Sequence, residues 1–135
     1  MMYQLTVTKE QAEIIRLSVE MYARLRMGQI RNVLSDGLPE RFSWDKTDTV
    51  VEEFRKNLFP ELTPNQSYGV RHEEKIDEAV DIYEVIRHQL AWDRVRDSGR
   101  ESPEFHGCHY DEPFHWSKSS LPEITRIEVD TDTEH

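Results

Sequence analysis

Apolar residues recur at spacings of three and four along residues 72 to 96, HEEKIDEAVDIYEVIRHQLAWDRVR, which lie within the longest run without Gly or Pro. Ile76, Ala79, Val80, Tyr83, Ile86 and Leu90 form one stripe, and Ile82, Val85 and Trp92 widen it into a broad arc. This is the expected central helix, and so wide an arc requires neighbours on at least two sides. Arg87 follows Tyr83 by four and therefore lies inside the stripe, while Asp77, Asp81 and Glu84 form an acidic row leading to His88.

The remaining pattern places other elements around this helix. Tyr3, Leu5 and Val7 alternate with polar neighbours in residues 2 to 7, as in a short strand with one buried face. Thr8 followed by Gln11 makes a capping box for a helix reaching about Met27, with Ile14, Ile15, Val19, Tyr22 and Leu25 on its inner side. Gly28 breaks that helix before a short second one carrying Ile30, Val33 and Leu34. Residues 35 to 47 read as a loop pinned by Leu38, Phe42 and Trp44. From Thr47 or Asp48 a third long helix carries Val50, Val51, Phe54 and Leu58, and Pro60 ends it. A second loop then feeds the central helix. After Arg96 breakers replace the helical period, and ITRIEV alternates Ile127 and Val129 with Arg126 and Glu128, a strand pattern able to pair with residues 2 to 7 or with FHGCHY at 105 to 110. The expected fold is α+β, mostly helical, with three principal helices packed against a small antiparallel sheet from the chain ends. Residues 1–129 make a single globular domain, and 130–135 form a fraying tail.

Composition narrows the function classes. A chain of 135 residues can bury a core without disulfides or a structural metal. The net charge of −10 argues against duplex nucleic acid as a partner, because phosphate binding needs a basic surface. Arg outnumbers Lys by 12 to 5, and Arg is the side chain suited to forked contacts with carboxylate or phosphate. Cys108 is the lone cysteine, which fits a reducing compartment. MMYQLTVTKE lacks the basic and apolar stretches of an export signal, and no apolar run approaches the length of a membrane span.

Met27-Gly28-Gln29, Tyr68-Gly69 and the run Val85-Ile86-Arg87-His88 followed by Leu90-Ala91-Trp92 resemble a family of small uncharacterised proteins encoded by bacteriophages and prophages. The similarity extends from the first strand to about Ile124. It implies origin rather than chemistry, and with it the cytoplasm of a bacterial host.

Several residues invite chemical readings. His106, Cys108, His109 and His115 lie within ten residues, but their spacing lacks the paired pattern of a zinc site, so no metal is expected. Glu84 and His88 share a helix face and form either an acid/base pair or an ordinary surface ion pair. Arg87 has two readings: a core staple that pairs with acids or with the carbonyls ending another helix, or an anion holder working with Gln29, Tyr68 and His72. The staple is the favoured reading, which expects acceptors around the guanidinium. The tryptophans with Phe42 and Phe114 read as core and loop anchors, and no Walker loop, GxGxxG turn, nucleophile elbow or HExxH occurs.

The resulting expectation is a non-catalytic phage or prophage accessory protein that binds a host or phage protein and needs no cofactor. The first alternative is a small-molecule binder of a nucleotide-like anion using Arg87, His88, Tyr68, His72, Gln29 and Glu84; the second is a small acid/base or metal-dependent enzyme. The wide arc of the central helix also leaves a patch for a homodimer.

Overall fold

The computed structural model describes residues 1–39, 43–100 and 110–128. Four helices occur in chain order: α1 (Lys9–Arg26), α2 (Ile30–Gly37), α3 (Trp44–Leu58) and α4 (Glu74–Asp97). The expected α+β class is overturned, because no strand or sheet occurs among the described residues. Residues 1 to 8 have no regular structure and stand away from the body, with Tyr3 91% exposed. Their alternating pattern finds no surface to cover, and two strands alone make at best a marginal sheet in water. At the other chain end, Arg126 is drawn to the C-terminal end of α4, where Nη1 lies 2.8 Å from Asp97 Oδ1 and 3.8 Å from Asp93 Oδ1. Val129 and most of FHGCHY lie outside the described residues.

The helix starts follow local chemistry. Thr8 and Gln11 form the full capping box of α1: Gln11 N donates to Thr8 Oγ1 at 3.1 Å, and Thr8 N donates to Gln11 Oε1 at 2.9 Å. Gly28 ends the helix with φ of +87°, a left-handed conformation that a side chain resists. Gln29 N donates to Arg24 O and Gly28 N to Leu25 O, the bond pattern of a Schellman turn. The expected loop over 35 to 47 is shorter than read, since α2 reaches Gly37 and α3 begins at Trp44. Arg31 links these two helices by lying 4.4 Å over the Trp44 ring and pairing with Asp48.

α1 and α4 run antiparallel and make the main contact of the molecule. Arg26 pairs with Glu73 at one end, and Arg94 meets Glu13 at 3.6 Å at the other. Ala23, Met27, Ile76, Ala79 and Val80 form the core between them, with Val19, Tyr68, Val70, Tyr83 and Trp116 packed around it. The inner side expected for α1 divides: Val19 packs on the core and Ile15 is half-buried, but Ile14 is 66% exposed, and Tyr22 and Leu25 are exposed too. The small Ala12 and Ala23 face inward instead, and they let the α4 backbone approach closely.

Candidate functional site

The Tyr83–Arg87 step of α4 meets a polar ladder on α1. Glu20 is buried at 8% exposure and accepts from Arg16 Nη1 at 3.0 Å and from Arg24 Nη2 at 3.3 Å. Arg24 Nη1 also donates to Gln29 Oε1 at 2.6 Å, and Gln29 Nε2 donates to Ser67 Oγ at 3.3 Å. Burial pushes the Tyr83 phenol above its ordinary pKa, with Glu84 and Glu20 adding to the rise and Arg87 and Arg24 opposing it. Charges from both helices therefore converge on this ring.

The Arg87 guanidinium lies 5.6 Å from the centre of the Tyr83 ring, in cation–π range. Among the described residues it makes no hydrogen bond and no ion pair within 4 Å, so the acceptors expected of a core staple are absent. Its Nε is buried without a partner, while its terminal nitrogens are not buried. Arg24 Nε and Trp116 Nε1 are likewise buried without acceptors. Glu84 sits beside this group with its pKa raised, chiefly by burial and secondarily by Asp81. Arg87 and the nearby Trp116 indole pull it back down, although the indole stops short of hydrogen-bond geometry.

The other expected site residues divide between this seam and other places. Gln29 joins the seam through Arg24. Tyr68 and His72 stack on each other at 3.6 Å with rings nearly parallel, and Tyr68 Oη donates to Glu61 Oε1 at 2.8 Å. No hydrogen bond, ion pair or ring contact joins that stack to Arg87. His88 Nε2 lies 3.7 Å from Glu112 Oε1, so its carboxylate neighbour comes from the C-terminal segment rather than from Glu84.

The acidic row of α4 holds the chain together. Asp81 is 2% exposed and accepts from Trp116 N at 2.8 Å, Ser117 N at 3.0 Å and Ser117 Oγ at 2.5 Å. Asp77 accepts at 2.6 Å from the N of Arg71, itself the one non-glycine residue of positive φ among those described. Glu74 and Glu78 take Lys118 N at 2.7 Å and Ser119 Oγ at 2.9 Å. These carboxylates supply acceptors for a segment that lacks secondary structure of its own.

Arg55 was missed by sequence reasoning. It is 5% exposed and donates from Nε to Gly28 O at 2.8 Å, from Nη1 to Thr63 O at 3.1 Å and from Nη2 to Gln66 O. The available signal was its place four residues after buried Val51, the same kind of signal that nominated Arg87.

Among the described residues no group of three or more His, Cys, Asp or Glu is placed to hold a metal; His106, Cys108 and His109 lie outside them. No described helix is long and apolar enough to cross a membrane. Two surface cavities of about 440 and 380 Å³ open at the end of α4 and between α1 and α4, and Arg87 lines neither. The Arg87 seam is thus an open cation steadied by an aromatic ring, with the half-buried Glu84 beside it, an arrangement that can hold an anion. No protein-family model, curated protein or solved structure matches the chain.

Proposed function

We propose that this is a non-catalytic binding protein that captures an acidic group of a partner protein on the Arg87–Tyr83 face. One observation carries the reading: Arg87 has no acceptor among the described residues, yet its stem is packed and its charge is held against an aromatic ring. A guanidinium pre-positioned in this way gives up little freedom when it grips a carboxylate. Arg16, Arg24 and Arg87 balance Glu20, Glu84 and Asp81 at the seam, so it lacks the acidic excess of a chain of net charge −10. An open site suits a group displayed by a large partner, since small-ligand sites usually enclose most of their ligand. The resemblance to phage and prophage proteins supports a host or phage protein as that partner, met in the bacterial cytoplasm. A second copy of the chain is its other partner in this reading.

Affinity capture from phage-infected or lysogenic cells tests the proposal. A protein retained by the wild type should be lost with Arg87→Ala and regained in part with Arg87→Lys, while circular dichroism stays unchanged. Identical capture by all three would sink it.

One observation favours a nucleotide-like anion as a second reading: two neighbouring guanidinium Nε groups, of Arg24 and Arg87, are both buried without acceptors. Calorimetric titration with pyrophosphate and ADP separates the two. Saturable binding removed by Arg87→Ala favours the small anion, and no heat with either compound counts against it.

A further inference from the structure

α4 keeps one flank only half-buried, next to an apolar stripe of α1 that is exposed. α1 packs along one side, and residues 116–119 dock on a second through Asp81, Glu74 and Glu78. Among the described residues no other helix packs against it. Between α1 and that docked segment lies the flank that carries the half-buried Ile82. α1 has a matching deficit, because Ile14, Tyr22 and Leu25 form a stripe with the spacing of a core face and yet are exposed. Where the two helices meet, Val19, Tyr22, Ala79 and Ile82 line an open groove of about 380 Å³, with Lys75 and Glu78 among its walls.

We infer that a second copy of this chain covers this face, α1 and α4 of the two copies packing about a two-fold axis as a four-helix bundle. The inference extends the homodimer part of the proposed function by naming its surface, and it is independent of Arg87. Charge selects the occupant. Two chains of net charge −10 repel wherever acidic surface meets acidic surface, but this groove carries one Lys and one Glu and so no net charge. A two-fold axis is isologous, so it can set Lys75 of each copy toward Glu78 of the other. Size sets the strength. The 18 residues of α1 span about 27 Å at 1.5 Å per residue, and two helices side by side are roughly 20 Å wide. The face is therefore on the order of 500 Å² per copy, near the lower end of what specific dimers bury. The dimer should accordingly dissociate in the micromolar range rather than be obligate.

Sedimentation equilibrium between about 1 and 200 µM tests this. The wild-type mass should rise from 16.1 kDa towards twice that value. Ile14→Glu, at a site already exposed in one copy, should weaken association at least about ten-fold with circular dichroism unchanged, and Ile82→Glu should do the same. Phe54→Glu, on the exposed stripe of α3, should leave the mass curve as it is. A wild-type mass fixed at 16.1 kDa throughout, or a dimer lost with Phe54→Glu and kept with Ile14→Glu, overturns the inference. Arg87→Ala should not shift the curve, so failure here is distinct from failure of the Arg87 site.

Discussion

Arg55 and Arg87 occupy equivalent places in their helices, each four residues after an apolar position on the inward stripe, and they end in opposite states. Arg55 reaches the turn after α1 and the loop after α3, where the Gly28, Thr63 and Gln66 carbonyls all point at its fork. Arg87 reaches a face of α1 whose one nearby acid, Glu20, is already held by Arg16 and Arg24. A helical register carries a guanidinium to an interface. Whether it is satisfied there depends on the far side, and loop carbonyls accept where a second arginine cannot. The satisfied arginine is therefore a fold determinant, and the unsatisfied one is available to a ligand.

The largest effect that sharpens this contrast is expected from Arg55→Ala. Three carbonyls lose their donor at a point where α1, α3 and the 60–72 loop converge, and water replaces the contact only in part. Because hydrogen bonds to a charged group contribute about 1.5–3 kcal/mol each and do not add fully, a loss of about 3–4 kcal/mol is expected from urea unfolding. Arg55→Lys should recover only part, since one ammonium cannot match a three-pronged fork. A loss below about 1 kcal/mol would dissolve the contrast.

Arg87→Ala is expected to change stability by no more than about 0.5 kcal/mol in either direction, because no hydrogen bond or close ion pair is removed. Thermal melting checks this directly. A drop of about 3 kcal/mol or more would restore the staple reading and withdraw the site, since that is the scale on which breaking a buried charge pair destabilises a protein.

The parts of this molecule that were legible in the sequence are those governed by local chemistry. The Thr8–Gln11 box, the Gly28 break and the long run over residues 72 to 96 depend on residues within a few positions of one another, and they appear where expected. Met27, Gly28 and Tyr68, quoted above for a resemblance, meet through Tyr68 N donating to Met27 O and Arg55 gripping Gly28 O. What failed depended on distant partners. Period-two alternation in residues 2 to 7 says nothing about whether an edge exists to pair with. The stripe of Ile14, Tyr22 and Leu25 has the spacing of a core face, yet the inward face of α1 is carried by Ala12, Val19 and Ala23. The row Asp77, Asp81 and Glu84 looked like chemistry because the acceptor role of its middle member, Asp81, needs the backbone of residues 116 and 117, some 35 positions away.

The smallest effect asks whether Arg87, though unbonded, still acts through its charge. Burial raises the folded-state pKa of Glu84 above its ordinary 4.5, so the folded protein holds that proton more tightly than the unfolded chain does. The stabilisation this provides is complete below the unfolded pKa and is lost as pH rises through the folded one. At pH 7 the ionised carboxylate therefore works against folding, and Glu84→Gln should stabilise the fold there, by less than about 1 kcal/mol because the group remains partly solvated, and so raise the melting temperature. The gain should shrink as the pH falls towards 4.5. Since Arg87 pulls this pKa down, removing it should make the ionised carboxylate costlier and the gain from Glu84→Gln larger. Melts of the two single variants and the double variant at neutral and acidic pH measure this coupling. An unchanged or smaller gain in the Arg87→Ala background would mean that the guanidinium does not stabilise the ionised Glu84, and that the local field of the seam is not what favours an anion there.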